Sequence, residues 1–169
     1  FIRAGLLTKK GHFSCIAAQW YYNRRCFPNR AQIPPDSLDE LVRLAVGSIS
    51  AKRLRDTLVD GFPKEATFQH LFNEAMSLHL PFEHIIIPEM NTFASDPGDS
   101  SKIVTGELDF CVNGDTQWCV ELVRLGDKIG EHVARFEEHK GKYRKLIQKD
   151  YLVVDCRGPK RGRGTKVED

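Results

Sequence analysis

Residues 105–124, TGELDFCVNGDTQWCVELVR, constrain this chain more than any other stretch. They read as two strands joined by a turn, each with an acidic residue near its middle. Period-two alternation places Val104, Leu108, Phe110 and Val112 on one face and Thr105, Glu107, Asp109 and Cys111 on the other. Asn113-Gly114 is a hairpin signal, because both residues tolerate positive φ. The second run, Trp118 to Val123, brings Glu121 back beside Asp109. Two carboxylates on neighbouring strands, next to a cation, are what a divalent metal needs to activate water or clamp a phosphate.

The 169 residues suffice for one domain with a sizeable core, or for a domain plus part of another. A hydrophobic share of 41% and a charged share of 28% are ordinary for a globular protein. No apolar run approaches the ~20 residues that span a bilayer, so no membrane segment is expected. The chain starts at Phe1, and Gly5-Leu6-Leu7 is too short for the core of a signal peptide. The expectation is a piece of a longer protein. Five cysteines with no CxxC pair read as reduced thiols; Cys111, Cys119 and Cys156 fall inside apolar strand patterns.

Net charge is only +2, but basic residues cluster. One cluster is Arg24-Arg25-Arg30, a second runs from Lys140 through Lys142, Arg144 and Lys145 to Lys149, and a third runs from Arg157 through Lys160, Arg161 and Arg163 to Lys166. Such clusters either meet phosphates or solvate a surface.

Along the chain, residues 1–27 suggest a hairpin ending in a helix or strand. Pro28, Pro34 and Pro35 place a boundary near residue 36. Ser37 with Glu40 predicts a capping box opening a helix through Ile49. A short helix over 51–59 ends at Gly61. Pro63 starts a helix over 64–80 with Phe68, Leu71, Phe72, Ala75, Met76 and His79 as its apolar stripe. Strands are expected near 84–90, 103–112, 117–124 and 151–156, with Ile85, Ile86 and Ile87 all buried. Residues 91–102 read as a polar loop. A helix over 126–138 turns Ile129, Val133 and Phe136 inward and aligns Lys128, His132 and Arg135 as one polar stripe.

Gly106-Glu107-Leu108-Asp109, followed by Glu121-Leu122-Val123-Arg124, resembles the G-x-x-D…E-x-K core of the PD-(D/E)XK restriction-endonuclease-like superfamily. The fuller run GELDFCVNG…WCVELVRLGDKIGEHVARF…GKY…DYLVVDCRG is similar to the nuclease-like C-terminal module of crinkler (CRN) effectors of oomycetes and some fungi. The resemblance covers roughly Glu65 to Gly158. It implies an α/β fold with a restriction-endonuclease-like core, a central mixed sheet flanked by helices. It implies that residues 1–36 end an upstream winged-helix-like domain that follows a P-loop ATPase, and that 37–169 form the nuclease-like domain. No G-x-x-x-x-G-K-[ST] occurs here, so this stretch supplies no ATPase of its own.

The resemblance further implies Mg²⁺ or Mn²⁺ held by Asp109 and Glu121, with a first-helix carboxylate nearby. Glu65, in Glu65-Ala66-Thr67-Phe68-Gln69, takes that role, with Glu74 in reserve. A Lys two residues after the Glu would orient water and add charge. Here that position is Val123, and Arg124 comes one later, on the opposite face of a regular strand. Arg124 turned in by a bulge, Lys128 from the helix, or loss of cleavage are the three outcomes. Arg clamps phosphate but is no base at neutral pH. Gln69, His132, Arg135, Lys140 and Lys142 are the candidate nucleic-acid contacts, His132 also as a general base. The implied partners are DNA, host nuclear proteins and the upstream ATPase domain, and the implied location is the host nucleus after secretion. The alternatives are an inactive nuclease fold that binds DNA or a host protein, and a regulatory module packed on its own ATPase domain.

Overall fold

Local sequence signals account for most element starts in the computed structural model, which describes residues 15–26, 28–59, 62–95, 103–137, 141–143 and 149–157. The expected hairpin before residue 15, Lys140 and the rest of the basic run over 144–148, and the tail after Arg157 lie outside the described residues. The helices are α1 (Ile16–Cys26), α2 (Leu38–Ser48), α3 (Ala51–Asp56), α4 (Glu65–Leu78) and α5 (Ile129–Ala134). The strands are β1 (Leu58–Val59), β2 (Phe62–Pro63), β3 (Ile86–Ser95), β4 (Ile103–Val112), β5 (Trp118–Arg124) and β6 (Asp150–Cys156).

Ser37 caps α2: its Oγ accepts from the Glu40 N–H at 3.2 Å, while Glu40 Oε2 accepts from the Asp36 N–H at 2.9 Å. The cap satisfies N–H groups that the first helical turn leaves unpaired. Ser37→Ala is expected to cost about 1 kcal/mol in urea unfolding, with an unchanged m-value.

The main sheet has the order β3-β4-β5-β6. β3, β4 and β5 pair antiparallel, and β6 runs parallel to β5, so the sheet is mixed and the fold is α/β. The parallel β5–β6 pair needs a crossover, and α5 lies in it. One face of the sheet buries Ile86, Phe110, Val112, Trp118 and Val120 against Leu38, Leu41, Phe72 and Met76 of α2 and α4. The Phe72 and Phe110 rings sit 5.7 Å apart between centroids. The other face is smaller: Leu108 and Cys119 pack with Phe136 and Tyr143, backed by Tyr151 and Val153.

Several expectations change. β3 does not end near residue 90 but continues to Ser95, paired with residues 103–107 of β4. Backbone pairing with a neighbouring strand does not require the apolar alternation by which a half-buried strand is read from sequence. Of the three isoleucines, Ile86 is buried while Ile85 and Ile87 are half-buried, because only one face there meets helices. The second short helix stops at Asp56, and Leu58–Val59 pairs with Phe62–Pro63 instead. Pro63 therefore ends a strand, and α4 starts at Glu65. In the turn after β4, Gly114 takes φ +86 and Gln117 φ +49, so the connection is a longer turn over 113–117.

Leu108 departs from the face of Phe110 and joins the smaller cluster. Its register with β3 passes from Pro88↔Phe110 to Met90↔Leu108, and Glu89 between them sits at φ +50. That irregularity breaks the alternation at Asp109.

The basic cluster before residue 36 is partly internal. Arg30 is buried, donating from Nε to the Leu80 carbonyl at 2.8 Å and from Nη2 to the His84 carbonyl at 3.4 Å. It thereby holds the chain before α2 against the end of α4, rather than offering charge to a phosphate.

Candidate active site

The β4–β5 ladder runs from Val112↔Trp118 to Phe110↔Val120, whereas β5 stays with β6 to Arg124↔Cys156. The sheet forks at Asp109. There the Asp109 carboxylate replaces a strand partner: Oδ2 accepts the Leu122 N–H at 2.6 Å. A backbone donor at a fork needs such an acceptor. Gln69, reaching down from α4, donates Nε2 to Oδ1 at 2.8 Å.

Burial pushes the Asp109 carboxyl up to about 6, opposed by the Leu122 N–H and reinforced by the charge of Glu121; the Gln69 bond opposes it and Glu65 reinforces it. Burial disfavours the ionised form, and like charges add to that. Asp109 therefore feels the charge of two other expected carboxylates, Glu121 and Glu65. Glu65 stands exposed on the first turn of α4, the turn before Gln69. The reserve, Glu74, is engaged elsewhere, pairing with Arg53 at 2.5 Å and His70 at 3.1 Å.

Glu121 lies on the α5 side of the sheet and is only 2% exposed. Its Oε1 accepts from Arg135 Nη1 and meets His132 Nδ1 at 2.8 Å. Arg135 Nη1 also lies 3.0 Å from His132 Nδ1. Among the described residues, Glu121 Oε2 is buried without a hydrogen-bond partner. A buried carboxylate oxygen left so is costly unless something else meets it.

The cations are not where the resemblance implies. β5 keeps a regular parallel register through Glu121↔Val153 and Arg124↔Cys156, so no bulge turns Arg124 inward; it is exposed on the opposite face. Lys128 sits at φ +48, exposed, with its ammonium 4.0 Å from Glu131. The cation at Glu121 is Arg135. Lys142 stands on the same side: burial and then Arg135 push its ammonium down, while Glu121 pulls it up.

α5 is six residues long and turned from its expected pose. Gly126, at φ +71, gives its N–H to Asp155 Oδ1 at 2.7 Å and belongs to a turn. Ile129 and Val133 are 39% and 44% exposed, and of the expected inward residues Phe136 alone is buried. The physical reason is Glu121: a buried carboxylate draws His132 and Arg135 to the sheet, and their face becomes the inner one. These two residues, expected at nucleic acid, instead hold the acid. A signal existed, since Glu121 inside Trp118-Cys119-Val120 and Leu122-Val123 must find a cation. Nothing in the sequence marked the Leu122 N–H.

Glu121 Oε2 and the Asp109 carboxylate are the oxygen groups here that could contribute to holding a hard cation. Among the described residues no three His, Cys, Asp or Glu side chains converge as a complete ligand set. Comparison with protein-family models, curated proteins and solved structures returns no match.

Proposed function

We propose that this chain is a metal-dependent nuclease-like domain of the crinkler type, with a restriction-endonuclease-like core that acts on DNA phosphodiesters. The observation that carries the reading is the pair at the fork: Asp109 pushed up to about 6, and Glu121 buried with Oε2 unmet. Both conditions are relieved by a divalent cation. A bound Mg²⁺ or Mn²⁺ would supply Lewis-acid stabilisation of phosphate charge and an activated water.

The chain's own residues have separable tasks. Gln69 and the Leu122 N–H fix the direction of Asp109. Arg135 and His132 occupy one oxygen of Glu121 and leave the other available. Lys142 adds positive charge on that side. Glu65 adds negative charge toward Asp109 from the start of α4.

A second reading, an inactive nuclease fold that binds DNA or a host protein, is favoured by a different observation. Arg135 already neutralises Glu121 from within the protein. Cleavage of plasmid and single-stranded DNA with Mg²⁺ or Mn²⁺ decides between them, run beside a gel-shift assay. The nuclease reading expects cutting that chelation stops and that Asp109→Ala and Glu121→Ala each lower by about 100-fold or more. Folded protein that shifts DNA without cutting it would support the inactive fold, and neither cutting nor shifting would remove both DNA readings.

A further inference from the structure

Cys111 and Cys119 are register partners across β4 and β5. The type of pair follows from which way the neighbouring backbone groups point. Asn113 gives its N–H to Ile85 O at 3.0 Å, so odd-numbered residues at this end of β4 address β3. Leu122 gives its N–H to Asp109 Oδ2 at 2.6 Å, so even-numbered residues of β5 address β4. Strand residues alternate in this respect, and the ladder bonds between β4 and β5 therefore belong to Phe110 with Val120 and to Val112 with Trp118.

Cys111 and Cys119 thus form the narrow, non-hydrogen-bonded pair between them. Such pairs have Cα atoms ~4.5 Å apart. A disulfide spans Cα separations of about 4.4–6.8 Å, so this site needs no strand movement to be bridged. All five cysteines are thiols in the structure, and the Cys111 and Cys119 side chains already touch through a hydrogen bond. Cys119 is fully buried and Cys111 is half-buried.

We infer that Cys111 and Cys119 are a redox modification site, closing a reversible cross-strand disulfide when the protein meets a small oxidised disulfide such as oxidised glutathione. Cys111, the more accessible, attacks one sulfur of that molecule and releases one small thiol. Cys119 then attacks the Cys111 sulfur of the mixed disulfide and releases the second. The two protein thiols are oxidised, the small disulfide is reduced to two thiols, and both protons leave with them. The bond ties β4 to β5 two residues from Asp109 and two from Glu121, just before the strands part. It does not depend on what the carboxylates do.

The test uses the folded chain with oxidised glutathione at pH 8, followed by an acid quench, alkylation of remaining thiols and cleavage before aspartates. Fragments 109–114 and 115–126 separate the two cysteines. The expected result is that these fragments stay joined until a dithiol reductant is added. Cys111→Ser should abolish the joined species. Cys119→Ser should leave glutathione standing on Cys111, because the resolving thiol is gone. Recovery of both fragments alkylated, or each carrying its own glutathione, from the folded wild type would overturn the inference. The wild-type measurement stands whether or not either variant folds.

Discussion

Arg135→Ala is expected to lower stability by about 3–5 kcal/mol, the loss seen when one member of a buried ion pair is removed. The arginine side chain is 26% exposed but its partner Glu121 only 2%, so solvent does not take over its task. Without Arg135, the carboxylate keeps His132 on Oε1 and, among the described residues, no partner on Oε2. The deficit belongs to the stranded acid rather than to lost arginine packing. Adding Glu121→Gln to Arg135→Ala should therefore recover most of it, and urea unfolding of the four members of that cycle measures the coupling. A double variant as unstable as the single one would show that Arg135 acts through its stem alone. Arg135→Lys should fall between, since an ammonium supplies charge without the planar fork.

Asp109→Asn should make the protein more stable at pH 8 while removing its metal response. The Asp109 carboxyl is raised from 3.8 to about 6 in the fold, first by burial. The fold therefore favours the protonated acid. Its contribution is fully present below the unfolded value near 4 and is lost as pH rises through about 6. At pH 8 the wild type carries that penalty in full, roughly 3 kcal/mol at 1.36 kcal/mol per pH unit. Asparagine carries no charge, and its carbonyl oxygen can still accept from the Leu122 N–H. The variant should gain over the wild type between pH 4 and pH 8 and match it near pH 4. Mg²⁺ or Mn²⁺ should raise the wild-type Tm at pH 8 by binding the folded state, and should not raise that of Asp109→Asn. A wild type more stable than the variant at pH 8, without metal, would remove the argument from burial.

Stability gained by losing the acid is the pattern of a functional site held against the preference of the fold. It also separates two questions. The pH dependence reports burial of Asp109, whether or not DNA is cut. The metal-dependent Tm shift reports cation binding, again without an activity assay.

The strands over 103–112, 118–124 and 150–156 were legible because their side-chain period and their β-branched and aromatic content agree. The Ser37 cap was legible because its hydrogen bonds are local. Asp109 and Glu121 stood out as acids inside apolar runs, and the Asn113-Gly114 signal placed β4 and β5 as neighbours although the turn over 113–117 is longer than that signal implies. Helix α5 was not legible in the same way. Its apolar residues, taken alone, turn Ile129 and Val133 to the core, and a sequence pattern has no means of weighing a distant buried charge against two apolar side chains.

Residue types and local periodicity, then, determined by themselves helices α2 and α4, the core strands β4, β5 and β6, where α2 begins, and that two carboxylates return to neighbouring strands. The tertiary structure alone decided that β4 leaves β5 at Asp109, that the Leu122 N–H and Gln69 hold that acid, and that Arg135 rather than Arg124 or Lys128 meets Glu121. The division has a physical reason. Propensity, capping and alternation act over a few neighbouring residues, whereas burying a charge brings together groups far apart in the chain, and only the packed fold fixes which cation reaches it.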